Sequence, residues 1–426
     1  MSLRYTPLSA AFYARNREKL LQSMDPDGLA VLFSNDEMPR NGDCNFSFRQ
    51  NSDLLYLSGI DQEDTLLLVD PSERESKKFQ LFLKKTNDHI RVWEGEKLSK
   101  EQAQIMSGIT TVHWVDNFET VFEQAIQRKG EFYFSSNAND RAVSKVQSPS
   151  DRFLLKHNNL LKGKKLIPLG PLIADMRVMK QQEEIDQMRN AIEITSSAFK
   201  RVMKFVRPGK KEYEVEAEIT HEFIRKGASG HAYQPIVACG SNSCILHYIE
   251  NAGVCQEGEL LLLDFGAEYG NYAADLSRTI PVSGKFSERQ RQVYESVLSV
   301  FKTARDAMKV GALLKTVQDQ TLSAMKKELR ILGLITGKEG KEQDLAVRKY
   351  FMHGVSHFLG MDVHDVGNRN LAFKEGMVLT CEPGIYIPEE KIGIRLENDI
   401  LITKEGPIDL MEHIPLEADE IEALMS

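Results

Sequence analysis

The sequence predicts two domains of different class, an α/β domain over residues 1–170 and an α+β domain over residues 171–426. Three observations carry this prediction. Residues 1–160 alternate short apolar runs with stretches of helical spacing. The segment LKGKKLIPLGP at 161–171 gathers basic and chain-breaking residues between two patterned regions. Beyond it, a pair of helix patterns followed by strand patterns occurs twice in succession. A chain of 426 residues is also long for one domain, at a prior of about 150 residues each.

In the first domain, segments 28–34 (GLAVLFS), 53–59, 65–70 and 79–84 read as strands bounded by Asp, Asn, Gly and Pro, and 131–135 (EFYFS) reads as a fifth. Helix-spaced apolar residues occupy 9–24 and 117–127. No Gly-x-Gly-x-x-Gly occurs here, so no dinucleotide site is predicted. In the second domain a helix starts near Gln181, with Ile185, Met188, Ile192, Phe199, Val202 and Phe205 at helical spacing, and stops at Arg207-Pro208-Gly209. A second helix aligns Val215, Ile219 and Phe223 and ends at Gly227. Strand-like segments follow to about Val282. Ser287, with Gln290 three residues later, forms a capping box for a helix towards Met308. Another helix covers 313–332, and strands are expected from Tyr350 onward. This order predicts a pseudo-symmetric domain with its site between the halves.

Composition removes several functions. Hydrophobic residues at 42% and charged residues at 27% suit a folded globular chain, not a disordered one. No apolar run approaches a membrane span, and the N-terminal stretch lacks the apolar core of a secretory signal. A net charge of −8, spread along the chain, disfavours nucleic acid or an anionic membrane as the main partner. The five cysteines, Cys44, Cys239, Cys244, Cys255 and Cys381, are odd in number and form no Cys-x-x-Cys. Neither a disulfide framework nor a zinc knuckle is expected, and a reducing, cytoplasmic location is. Cys381 is read as a small buried hydrophobe and not as a nucleophile.

The chemistry concentrates in three stretches. ELLLLDFGAEYGNYAADLSRTIPV at 259–282 reads as an antiparallel hairpin turning near Tyr269-Gly270, which sets Asp264 opposite Asp275. Two like charges facing each other in a Leu-rich hairpin are destabilising unless a cation lies between them. HGVSHFLGMDVHDVG at 353–367 carries His353, His357 and His364, with Gly354 where zinc proteases of the His-Glu-x-x-His type have their general base. In 379–403, Glu382 ends an apolar strand before Pro383-Gly384, and Glu397 shares a strand face with Arg395. Four carboxylates and one imidazole from both halves suit a two-metal site, with Mn²⁺ favoured over Co²⁺, Zn²⁺ or Fe²⁺. Should the four carboxylates converge within about 5 Å, six repulsive pairs of about 3 kcal/mol each demand compensating cations.

At this point the chain resembles the pita-bread metallopeptidases, the family of methionine aminopeptidase, aminopeptidase P and prolidase. Asp264-Phe265-Gly266 with Asp275, Ser356-His357-Phe358-Leu359-Gly360, Glu382-Pro383-Gly384 and Arg395-Leu396-Glu397 match its metal motifs in type and order. The match spans about 177–403. Ile245-Leu246-His247-Tyr248, His353-Gly354 and Asp362-Val363-His364-Asp365 look like the histidine motifs of its proline-specific branch. The leader segments Arg40-Asn41-Gly42-Asp43, Phe48-Arg49-Gln50-Asn51-Ser52-Asp53 and Tyr56-Leu57-Ser58-Gly59 look like an aminopeptidase P leader. The span between Glu382 and Arg395 is shorter than in some relatives, which bears on the pocket rim.

The resemblance implies a creatinase-like leader followed by a pita-bread catalytic domain of the creatinase and methionine aminopeptidase kind. It implies removal of the N-terminal residue from peptides with proline second, by a hydroxide held between two metals. Asp275 and Glu397 would bridge the ions, Asp264 would bind one, and His357 and Glu382 the other. Glu382 would shuttle the proton, His247 and His364 would orient the substrate, and His353, Tyr386 and Arg395 would wall the proline pocket. Arg395 has a second implied role, holding Glu397. A homo-dimer or tetramer is the family habit. Prolidase, creatinase-type C–N hydrolysis and a non-catalytic binding module of the same fold are the alternatives.

Overall fold

A computed structural model describes residues 4–139, 141–336 and 341–426. It divides into two compact units, within Met1–Arg177 and Val178–Ser426. No described helix is long and apolar enough to cross a membrane.

The first unit is built on a six-stranded mixed sheet in the order Thr111–Trp114, Phe79–Leu83, Leu66–Val69, Gly28–Phe33, Glu131–Phe134, Lys165–Pro168. Leu66–Val69 runs antiparallel to both its neighbours, and the remaining pairs are parallel. Leu29, Val31, Leu68, Phe82 and Phe132 from the strands bury themselves against Phe118, Phe122 and Phe153. The two outermost strands, Thr111–Trp114 and Lys165–Pro168, went unrecognised in the sequence because they are short and partly exposed.

The segment 53–59, expected as a strand, is the helix Ser52–Ser58. Asn51 caps it, its side chain accepting from the Asp53 and Leu54 N–H groups, and Gly59 closes it at φ 70°. Those two signals, an Asn before the run and a Gly after it, outweigh the strand-like apolar content.

In the second unit the long helix Gln182–Phe205 packs with Glu212–Arg225, and Glu288–Ala307 packs with Leu314–Ile331. The apolar stripes named from the sequence are buried, apart from half-buried Phe205 at the end of the first helix, and the Ser287–Gln290 capping box is formed. After the first helix pair comes the antiparallel sheet Ile236–Cys239, Leu260–Asp264, Ser277–Pro281. After the second comes Val378–Cys381, Asn398–Thr403, Gly406–Asp409. A bridge between Ser277, in the edge strand of the first sheet, and Glu397, just before the central strand of the second, joins the two sheets. Fully buried Arg278 secures it, donating from Nη1 to the carbonyls of Ser277 (2.9 Å) and Glu397 (2.8 Å). The expected strands from Tyr350 begin only at Val378, because the stretch before it is an irregular, glycine-punctuated loop.

Two further expectations are corrected. The hairpin turns at Gly270-Asn271, both at positive φ (58° and 63°), and its register pairs Asp264 with Ser277, not with Asp275. A two-residue turn with both central φ angles positive is the twist-matched solution, and Gly and Asn are the residues that accept it. Cys239 and Cys255 form a disulfide, S–S 2.17 Å with Cα atoms 5.4 Å apart. An odd cysteine count forbids complete pairing but not one pair, and the chain leaving Cys239 returns beside it. Cys381 is fully buried, as read, and burial raises its thiol well above the usual range.

Candidate active site

The two-residue shift in register does not separate the two aspartates. Asp264 ends its strand, and Asp275 lies just before Ser277–Pro281. At Gly266 the facing backbone comes so close that a Cβ would lie 1.7 Å from the Ala274 carbonyl oxygen, so only glycine fits. The Tyr233 hydroxyl then joins the pair, 2.6 Å from Oδ1 of each aspartate.

The other half contributes Glu397 across the sheet-to-sheet bridge. Its Oε2 accepts from the Ser277 hydroxyl at 2.7 Å, and its backbone N–H donates to the Ser277 carbonyl at 3.1 Å. His357 comes from the irregular loop and is not helical. Its N–H donates to Thr380 Oγ1, and its Nδ1 lies 2.9 Å from the Phe358 carbonyl. A carbonyl only accepts, so Nδ1 carries the proton and Nε2 faces the acids. Nε2 is 3.4 Å from Asp275 Oδ2 and 3.9 Å from Glu382 Oε1. Ligand atoms of Asp275, His357 and Glu397 all lie within 4.8 Å of one another. Asp264 and Glu382 stand outside that trio, tied to it through Tyr233 and through His357.

Electrostatics describe a crowded acidic centre. Two carboxylates 4.8 Å apart repel by about 3.5 kcal/mol at an effective dielectric of 20. Burial, then the charges of Asp275, Glu382 and Asp264, hold the Glu397 carboxyl well above the usual range. Burial likewise pushes Glu382 up to about 7, and raises Asp275. Burial opposes the charged form of His357, yet the hydrogen bond to Asp275 and the charge of Glu382 raise it overall. Asp399, fully buried, accepts from the Asp275 N–H at 3.3 Å and is raised well above its ordinary range by burial and by Asp275. Carboxylates that disfavour one another, around an imidazole nitrogen held by its own tautomer, are a donor set that divalent cations fit.

Arg395 pairs directly with an acid of this centre. It donates from Nη2 to Asp264 Oδ2 (2.5 Å), from Nε to the Ser277 hydroxyl (2.9 Å) and from Nη1 to the Tyr386 hydroxyl (3.0 Å). Its link to Glu397 therefore runs through Ser277, and its direct ion pair is with Asp264. Tyr386 in turn lies 2.8 Å from His353 Nε2, while His353 Nδ1 lies 2.8 Å from the Gly354 carbonyl. This is one proton chain: Arg395 donates to Tyr386, Tyr386 to His353, and His353 to Gly354. Burial, then the Arg395 charge, lowers His353 to about 4, so the ring is neutral. His364 is exposed, its ring perpendicular to that of His357 with centroids 4.5 Å apart. His247 is exposed as well, and near enough to His353 to add to the forces that disfavour its protonation.

Sequence reasoning missed Tyr233, Ser277, Arg278 and Asp399. For Tyr233 in HAYQPIV no local signal existed. Asp399, an acid in the middle of ENDILIT, was a readable signal, because aspartate is depleted in strands.

Comparison with known proteins places these features in a family. Residues 186–404 match metallopeptidase family M24, and residues 13–133 match the aminopeptidase P N-terminal domain. The chain is 35% identical to the Xaa-Pro aminopeptidase of Escherichia coli, the alignment covering 98% of each. Among solved structures it is similar to the Pseudomonas aeruginosa aminopeptidase PepP, with TM-score 0.91, 31% identity and 98% of each chain covered. It is also similar to aminopeptidase P from E. coli with the inhibitor Pro-Leu, with TM-score 0.89, 34% identity and 99% of each chain covered.

Proposed function

The chain belongs to metallopeptidase family M24, with an aminopeptidase P N-terminal domain ahead of the catalytic one, and from that premise we propose that it removes the N-terminal residue from peptides whose second residue is proline. The observation that carries this reading is the meeting of Asp275, His357 and Glu397 ligand atoms within 4.8 Å, inside the family match. We place the leader at 1–170 and the catalytic domain at 171–426.

Asp264, Asp275, His357, Glu382 and Glu397 would hold two divalent ions, Mn²⁺ best suiting so carboxylate-rich a set, with Co²⁺, Zn²⁺ and Fe²⁺ as competitors. Bound there, the ions supply Lewis acidity and bring the pKa of a water near neutrality. Asp275 and Glu397, from the two halves of the domain and with ligand atoms within 4.8 Å, would be shared between the ions. Glu382 is the proton carrier; its side chain is 20% exposed against 6% for Asp275, which leaves it open to a substrate nitrogen. His364 and His247, both exposed, orient the scissile carbonyl.

Recognition of proline cannot use a donor from the scissile amide, which has no N–H. His353 fits that requirement, since both its nitrogens are engaged by Tyr386 and Gly354, leaving ring surface to meet the pyrrolidine. Arg395 and Tyr386 hold that wall in place. The physiological partners on this reading are Xaa-Pro peptides, acted on by a homo-dimer or tetramer. A cytoplasmic location is supported by the low, odd cysteine count, while the Cys239–Cys255 pair argues for a more oxidising one.

The test is a peptide series with Mn²⁺ and with chelator. Release of Xaa from Xaa-Pro-Yaa and longer peptides, abolished by chelator, is the expected result. Hydrolysis confined to Xaa-Pro dipeptides would replace this reading with the prolidase one, and no Xaa-Pro hydrolysis at all would overturn both.

A further inference from the structure

Glu212 is the first residue of the helix Glu212–Arg225, and it is wholly buried. Among the described residues it has no ion pair with Lys, Arg or His. Its carboxylate instead accepts four hydrogen bonds, every one from the single stretch 239–253. Oε1 takes the Cys239 N–H at 2.7 Å and the Asn242 amide at 3.0 Å. Oε2 takes the Tyr248 hydroxyl at 2.8 Å and the Gly253 N–H at 2.6 Å. The Glu212 N–H also donates back to the Gly253 carbonyl at 3.0 Å. A Cβ on Gly253 would lie 2.9 Å from both carboxylate oxygens, so the glycine permits the approach.

The stretch so gathered is the one that presents His247. Cys239 and Cys255 close its base, and Asn251 pins it further to Val237, Pro235 and Glu216. Tyr248, next to His247, packs with Ile236, Ala238, Leu262 and Tyr386, the last being part of the pocket wall. A buried carboxylate without a countercharge is costly unless its lone pairs are filled, and here all four are. A carboxamide has one carbonyl for four donors. It would leave the Gly253 N–H or the Cys239 N–H facing an amide.

We propose that Glu212 is a positioning residue: its carboxylate holds the segment 239–253 in the one conformation that sets His247 against the His353–Tyr386 wall. This rests on the reading of the protein as an Xaa-Pro peptidase in which His247 touches the substrate. A shift of His247 by about 1 Å is enough to cost up to 100-fold in rate.

The experiment compares wild type, Glu212→Gln, His247→Ala and the double variant, each loaded with Mn²⁺, on Xaa-Pro-Yaa. Hydrogen exchange of segments 240–254 and 260–281 and metal content are read on the same samples. Glu212→Gln is expected to lose about 10–100-fold in kcat/KM. Its metal content stays intact, and exchange rises in 240–254 and not in 260–281. The double variant is expected to match His247→Ala within about twofold, because one residue acts through the other. Full activity in Glu212→Gln, unchanged exchange, or losses that multiply in the double variant would each overturn the proposal. Tyr248→Phe removes a single donor and gives the same pattern at smaller size, so a misfolded Glu212→Gln leaves the test standing. Wild type inactive on every Xaa-Pro peptide would instead defeat the functional reading. The exchange comparison would then still decide whether Glu212 holds the segment.

Discussion

Replacing Glu397 by Gln should make the metal-free protein more stable, although it destroys a proposed ligand. Glu397 shares its site with Asp275, and the relevant oxygen atoms lie within 4.8 Å. That pair alone costs about 3.5 kcal/mol at an effective dielectric of 20. Part of it is relieved in the native state by protonation, in keeping with the raised carboxyl of Glu397. Gln keeps an oxygen to accept from the Ser277 hydroxyl and turns an N–H donor towards Asp275. A net gain of about 2 kcal/mol is expected, which is roughly 4–8 °C in Tm for a domain of about 250 residues. Thermal unfolding in chelator reads it directly. With added Mn²⁺ the order should reverse, because ions bound only by the native state stabilise wild type in proportion to occupancy. A variant less stable than wild type in chelator would refute the idea that these carboxylates repel one another uncompensated.

Three other outcomes follow from the same geometry. Tyr233→Phe removes the hydroxyl shared by Asp264 and Asp275, and metal affinity measured by calorimetric titration should weaken about 10–100-fold with the fold intact. His231, whose pKa is lowered by burial to about 4, binds its proton less readily in the native than in the unfolded chain. Its contribution is therefore complete above about pH 6.5 and is lost as pH falls towards 4, up to about 3 kcal/mol. Denaturant unfolding of His231→Asn across that window should show a flatter decline than wild type. Thiol titration of unreduced, unfolded protein should find three groups, Cys44, Cys244 and Cys381, and five after reduction; five at the outset would deny the Cys239–Cys255 bond.

What the sequence disclosed and what it withheld divide along physical lines. Long amphipathic helices such as Gln182–Phe205 and Glu288–Ala307 announce themselves, since burial of one stripe repeats every three to four residues. The helix Ser52–Ser58 did not, because its seven residues are nearly all buried and carry no periodic contrast. The acids of the site were readable as charges misplaced in apolar strands. Their grouping was not, since it depends on a turn at Gly270-Asn271 and on a bridge between sheets at Ser277 and Glu397. Tyr233, Arg278 and Glu212 act through tertiary contacts alone. Nothing in their neighbours along the chain marks a tyrosine bound for two aspartates or a glutamate bound for a loop.

The most direct measurement is the number of Mn²⁺ ions bound per chain in wild type and in Asp275→Asn, by elemental analysis after dialysis. Two ions in wild type, and fewer than one in the variant with Xaa-Pro turnover abolished, is the result the account requires. Two ions retained by Asp275→Asn, or none bound by an active wild type, would contradict it.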